Sequence, residues 1–285
     1  MAVAMAGQQP LTASSRAVPL SAEAVADYRR DGYLRGLPVL DDASVQTVQT
    51  RFRELLAKLP AGTDINRVNC WHKANRWVYE LSRFAPILDY VEGVLGGDFY
   101  CWGAQFFCKL PAAGEVASAD NRRQNVPWHQ DGQYWPLAPL QAATVWLAVF
   151  DTDAGNGAMQ VVAGSHRDGA FEHRISDRAD YALAQEIPGE RIDDDRVVSM
   201  DLRAGQMSLH DIGLVHGSTS SRDGRPRVGL TFRYSPTRVK ADLAEWPFFE
   251  AYPARGTAPS RNPVGKIPSG DAVPTGMFQR SDEFA

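Results

Sequence analysis

Between residues 41 and 59 apolar side chains recur every third or fourth position, at Val45, Val48, Phe52, Leu55, Leu56 and Leu59. That period draws one apolar stripe down an α-helix, with Asp41 or Asp42 as its N-cap. Pro86 opens a second helix carrying Ile87, Leu88, Val91, Val94 and Leu95, and Gly96-Gly97 ends it. A shorter one runs from Ala22 to Arg30 and stops at Gly32. All three read as scaffold helices with one buried face. After Gly97 the texture changes to β-branched and aromatic runs punctuated by Pro and Gly: Phe99 to Leu110, Thr144 to Phe150, Met159 to Ala163, Gln206 to Ile212 and Val228 to Ser235.

Helices gathered in the first third, then strands with no helices between them, argue against a doubly wound parallel sheet. The order predicts a mainly β fold with flanking helices, a jelly roll of the cupin-like, double-stranded β-helix kind. A chain of 285 residues is enough for one such domain. We expect it over residues 19–253, with the jelly-roll core from about 99 to 240. Small and polar residues 1–18 are expected to be poorly ordered, and the Pro-, Gly- and Ser-rich tail 254–285 poorly packed.

Composition narrows the function. No apolar run approaches the roughly 18 residues of a membrane helix. The start MAVAMAGQQPLTASS has no positive charge before Arg16 and no sustained apolar stretch, so it does not read as a secretory signal, and cytoplasmic residence is expected. A formal charge of -4 gives no footprint for nucleic acid, which leaves a small molecule as the expected partner. Cys70, Cys101 and Cys108 are odd in number and lack CxxC spacing, which argues against a disulfide framework or a structural zinc site. Any metal must be held by His and carboxylates.

A strand carries residues i and i+2 on one face, so a His-x-Asp pair offers an imidazole and a carboxylate at one point. One further His completes the two-His-one-carboxylate face that binds Fe(II) and leaves positions open. Two such pairs occur, His129-Gln130-Asp131 and His166-Arg167-Asp168, where chance gives roughly 0.5. The second lies between Gly164-Ser165 and Gly169, which is turn chemistry; the first lies between Trp128 and Tyr134-Trp135. His72 and His173 sit in polar contexts that suit solvated or capping roles. Either His210 or His216 would complete the site.

Across WHQDGQYWP (128–136), NGAMQVVAGSH (156–166), HGSTSSRDGRPR (216–227) and DGYLRGLPVL (31–40), the sequence resembles the phytanoyl-CoA dioxygenase family of Fe(II)/2-oxoglutarate oxygenases. That family includes bacterial natural-product branches and the ectoine hydroxylases, and the match runs through roughly residues 20–240. The resemblance implies His129, Asp131 and His216 as metal ligands. The family's cosubstrate arginine lies eleven residues past the second His, which is Arg227; counting from His210 gives Ser221. A guanidinium fork suits the distal carboxylate of 2-oxoglutarate. Ser218, Trp146 and Gln105 match further cosubstrate-contacting positions; strand alternation over Phe99 to Leu110 puts Gln105 and Lys109 on one face with Cys101, Gly103 and Phe107, opposite Tyr100, Trp102, Phe106 and Cys108, and in relatives that face looks toward the cosubstrate. Halogenating relatives carry a small residue where Asp131 stands, so halogenation is disfavoured.

The resemblance further implies Fe(II), 2-oxoglutarate and O2 as cofactor and cosubstrates, release of succinate and CO2, and hydroxylation of a small molecule in secondary metabolism. Tyr134, Trp135, Trp102 and Trp128 are expected on the substrate side or in the core. Arg233 shares a strand face with Arg227, Gly229 and Thr231, and reads as a surface or rim ion pair or as a receptor for a substrate anion. Two rival readings stay open: a redox-neutral cupin-like metalloenzyme, and a sensor that binds 2-oxoglutarate without turnover.

Overall fold

In the computed structural model the described residues are 10–111, 125–178, 181–258 and 260–274. The three scaffold helices form where the apolar stripes place them. Ala22–Asp31 is capped by Ser21 and closed by Gly32 at φ 82, a left-handed conformation that glycine adopts without a Cβ clash. Asp42–Ala57 begins at Asp41, whose side chain accepts from the Ser44 amide at 2.8 Å. Ala85–Leu95 carries Pro86 in its first turn, where a missing N–H costs nothing.

Among the described residues ten strands form two antiparallel sheets. The larger runs in the order Tyr33–Pro38, Gln206–Asp211, Ala143–Ala148, Arg227–Pro236, Phe99–Lys109 and Tyr252–Arg255. The smaller runs Val126–His129, His216–Ser218, Met159–Val162 and Val197–Ser199. Neighbours far apart in sequence, such as Gln206–Asp211 beside Ala143–Ala148, give the crossed connectivity of a jelly roll.

Strand alternation decides what each face does. Val228, Leu230, Phe232 and Tyr234 join the main core with Phe52, Ile87 and Val91 from the helices. Phe106 meets Phe52 at 5.3 Å and Trp71 at 5.5 Å between ring centroids. Truncating a ring as enclosed as Phe52, 1% exposed, costs about 3–5 kcal/mol. The opposite faces, with Arg227, Thr231 and Gln105, turn toward the smaller sheet and line the cavity between the two.

Two expectations need correction, and both end segments make contacts that composition alone does not reveal. Cys101 does not share the face of Gly103 and Gln105: pairing passes from Arg233↔Gly103 to Tyr234↔Cys101, so a bulge at Trp102 turns Cys101 into the helix-side core. His72 is neither solvated nor capping. It is 0% exposed and packs edge-on against Tyr252 at 4.8 Å, and burial pushes its pKa down to about 3, so it is neutral. The described part of the tail is mostly exposed but tied to the body of the domain at several points. Asn262 donates to the Tyr100 hydroxyl at 3.0 Å and the Val239 carbonyl at 2.9 Å, and Asp271 accepts from the Trp77 amide at 3.1 Å. Asn262 and Asp271 thus put polar side chains of the tail to use in internal hydrogen bonds. At the other end Ala13 pairs with Leu40, and the Thr12 amide donates to Ser44 at 2.7 Å. Residues 1–9 and 275–285 of these end segments lie outside the described residues. No described helix is long and apolar enough to cross a membrane.

Candidate active site

Val126–His129 and His216–Ser218 pair with His216 directly opposite His129, which sets the two imidazoles 4.1 Å apart between ring centroids. The strand ends at His129, and a single 3-10 turn, Asp131–Gln133, returns the carboxylate toward both rings. The pair therefore converges through a turn, not through the same-strand spacing expected from sequence. The Nδ1 atom of His129 donates to the Pro127 carbonyl at 2.9 Å, and that of His216 to the Leu214 carbonyl at 3.0 Å. Each bond fixes the tautomer and leaves the Nε2 lone pair free.

Asp131 Oδ1 lies 3.9 Å from His129 Nε2 and 4.0 Å from His216 Nε2, and the three donor atoms all fall within 4.8 Å of one another. Its other oxygen accepts from the Thr144 hydroxyl at 3.2 Å, with His210 Nε2 at 3.8 Å. Burial pushes both ligand imidazoles down, His216 furthest, so they are neutral. Burial alone would push the Asp131 carboxyl up. His210, His216, Arg233 and His129 around it outweigh that and hold it well below the usual carboxylate range. Two neutral imidazoles and one anion around a gap of ionic size are the donor set that a divalent first-row metal needs, so the residues fit iron(II). His210 is buried beside the site, its ring 4.9 Å from that of His216, but it lies outside the cluster of three donors.

Arg227 opens the long strand of the larger sheet and is 3% exposed. Its Nε has no hydrogen-bond partner and no described carboxylate forms an ion pair with it. Burial pushes its pKa down to about 10. A buried guanidinium left this way is costly until an anion pairs with it. The guanidinium lies 5.0 Å from the Trp146 ring, and that indole occupies space that a Cβ at Gly229 would fill, 2.0 Å from its atoms. Glycine is required there by close approach.

Lys109 is buried, and its Nζ lies within hydrogen-bond distance of Ser218 Oγ at 2.8 Å, of the Gly157 carbonyl at 3.2 Å and of the Thr219 carbonyl. Burial, then Arg227, pushes its pKa down to about 6. Ser218 accepts from Lys109, so its own hydroxyl hydrogen remains to be donated. Gln105 holds the Asn66 carbonyl at 2.7 Å through Nε2 and takes an Arg233 Nη2 hydrogen bond at 3.3 Å on Oε1. Arg227, Lys109, Gln105, Ser218 and Trp146 all line the same pair of contiguous cavities as the three-donor cluster.

Of the four aromatics expected near the substrate, Tyr134 and Trp135 line the cavity. Trp128, next to inward-facing His129, points the other way and packs with Val162, Ile187 and Val215. Trp102 lies behind Trp135, edge-on at 4.7 Å, and donates to Ser235 at 3.0 Å. His166 sits in the Ser165–Arg167 turn against the Arg29 carbonyl, with Asp168 paired to Arg196. His173 is half-buried and accepts from the Gln130 amide at 3.1 Å, anchoring the chain behind the metal cluster. Sequence reasoning missed Thr144. Its signal was a polar residue two before Trp146, on the same strand face.

A jelly roll that carries this donor set and a buried, unpaired arginine has the form of a non-haem iron oxygenase. The model of the phytanoyl-CoA dioxygenase family matches residues 28–229, and the chain belongs to that family, whose members are iron- and 2-oxoglutarate-dependent oxygenases. Among curated proteins it is 23% identical over 233 residues to L-proline trans-4-hydroxylase of Streptomyces griseoviridis, covering 73% of this chain and 84% of that one. Among solved structures it resembles the non-heme monooxygenase ThoJ, with 27% identity, TM-score 0.69 and coverage of 87% and 89% of the two chains. The fold also matches the epimerase SnoN, solved with Fe3+, alpha ketoglutarate and nogalamycin RO, at 22% identity, TM-score 0.60 and coverage of 86% and 94%.

Proposed function

We propose that His129, Asp131 and His216 hold Fe(II), that Arg227 receives the distal carboxylate of 2-oxoglutarate, and that the enzyme hydroxylates a small molecule in bacterial natural-product metabolism. The observation that carries this reading is Arg227: a guanidinium 3% exposed, with an unpartnered Nε, in the cavity that also contains the donor cluster. A redox-neutral metalloenzyme would have no use for it. Bound together, iron(II), 2-oxoglutarate and O2 supply the oxidising chemistry, with succinate and CO2 as coproducts.

The chain's own residues bind and orient. The Pro127 and Leu214 carbonyls fix both imidazoles, and Thr144 pins the outer oxygen of Asp131. Ser218 offers a hydroxyl hydrogen on the Arg227 side, and Lys109 fixes its orientation. Trp146 covers Arg227 and keeps water from its face. Gln105 joins the cosubstrate end of the cavity to the Arg233 end. Tyr134 and Trp135 wall the side on which a substrate would enter. Three buried cysteines, none of them in a disulfide, suit a reducing cytoplasm. Succinate release from 2-oxoglutarate in air, with iron(II) and each of wild type, Asp131→Ala and Arg227→Met, tests the assignment. Wild-type turnover lost in both variants supports it; equal succinate from all three overturns it.

A further inference from the structure

The cavity contains a second buried guanidinium that the iron and 2-oxoglutarate assignment does not use. Arg233 is 7% exposed, and its Nε has no hydrogen-bond partner. No carboxylate is within ion-pair distance of it among the described residues. It is therefore not the surface or rim ion pair that strand position alone allows.

Its placement is built. Gly103 stands opposite in the sheet, and a Cβ there would come within 2.9 Å of Arg233 Cδ, so the absent side chain makes room for the arginine stem. The guanidinium stacks 5.0 Å from the Trp135 ring, with Trp102 behind it at 6.0 Å. Gln105, itself held by the Asn66 carbonyl, takes one Nη2 hydrogen at 3.3 Å. Stacking and one hydrogen bond fix the plane and leave the Nε edge of the fork unused. Arg227 lies over Trp146 and Arg233 over Trp135, so the two forks serve different ends of the cavity.

Charge gives the ligand its sign and size. Iron(II), the Asp131 carboxylate, dianionic 2-oxoglutarate and Arg227 sum to zero formal charge. Lys109, whose pKa burial pushes down to about 6, is mostly neutral at neutral pH, and at the mouth Asp64 and Arg67 carry opposite charges. One positive charge, on Arg233, is left without compensation, and a buried charge of that kind is costly until paired. A monoanion balances it one for one. We propose that Arg233 is the receptor for a carboxylate on the substrate, and that the enzyme oxidises a monocarboxylic acid whose acid group docks between Trp135 and Gln105. This deepens the function proposed above and rests on it.

The test uses full-length protein loaded with redox-inert Ni(II) and saturating 2-oxoglutarate, so that Arg227 is already occupied. Cyclohexanecarboxylate, its neutral amide and inorganic phosphate are titrated by calorimetry, with tryptophan fluorescence as a second readout. Wild type should bind the carboxylate about tenfold or more tighter than the amide, as a charge-assisted fork requires. Arg233→Gln should erase that preference while 2-oxoglutarate affinity stays within about threefold. Gly103→Ala, which keeps the charge but displaces the stem, should reduce the preference as well. No preference in wild type, one that survives Arg233→Gln, or phosphate binding tighter than the carboxylate would each overturn the proposal. Loss of 2-oxoglutarate binding in Arg233→Gln, with none in Arg227→Met, would instead fail the cosubstrate assignment above.

Discussion

Replacing Arg227 by Met should move stability and cosubstrate binding in opposite directions. Burial lowers the Arg227 pKa from that of a free guanidinium to about 10, which corresponds to about 3 kcal/mol of desolvation cost at 1.36 kcal/mol per tenfold. Folded and unfolded chains both carry the proton below pH 10, so that cost is present in full at neutral pH. Methionine keeps much of the apolar volume and removes the charge. The cosubstrate-free variant should gain about 1–3 kcal/mol, read as a Tm rise of about 2–6 °C by metal-free thermal melting. The same substitution leaves the 2-oxoglutarate carboxylate facing an apolar wall. Losing one partner of a buried ion pair costs about 3 kcal/mol or more, at least a hundredfold in Kd by calorimetry on the Ni(II) protein. A variant that melts below wild type, or that binds 2-oxoglutarate unchanged, would refute the reasoning.

Three further perturbations follow from named contacts. Gly229→Ala places a Cβ 2.0 Å from the Trp146 indole and should cost about 1–3 kcal/mol by urea denaturation, with 2-oxoglutarate weakened because that ring covers Arg227. His72 has a folded pKa depressed from 6.5 to about 3, so the unfolded chain binds its proton first and stability is lost as pH falls through that window. Relative to wild type, His72→Leu should gain about 1.4 kcal/mol per pH unit between pH 6.5 and 3, followed by denaturant titration; a pH-independent difference would contradict neutral burial. His216→Ala should abolish iron binding, whereas His210→Phe should keep it within about tenfold, because only His216 Nε2 belongs to the donor cluster.

Much of this arrangement was legible in the chain. Helix stripes and caps specified three helices to within a residue or two, and two-residue alternation correctly sorted Val228 to Tyr234 from Arg227 to Arg233. The convergence of His129 and His216 was not derivable from spacing, because it depends on register between strands some 90 residues apart; only the family motif suggested it. Alternation failed at Cys101, where a bulge has no local sequence mark. The buried state of His72 was misread because its polar neighbours Asn69 and Asn75 are buried too, where Asn75 caps the short helix Arg76–Leu81. Composition likewise cannot separate a polar tail in solvent from one whose Asn262 and Asp271 hydrogen-bond the body of the domain.

The central claim is that His129, Asp131 and His216 hold iron(II) while Arg227 anchors 2-oxoglutarate beside it. Anaerobic addition of iron(II) and 2-oxoglutarate to the purified protein, followed by visible spectroscopy for the weak metal-to-ligand charge-transfer band, tests it most directly. The account predicts a band in wild type, none in Asp131→Ala or His216→Ala, and in Arg227→Met a band that needs at least about a hundredfold more 2-oxoglutarate. No band in iron-replete wild type, or an undiminished one in Asp131→Ala, would contradict it.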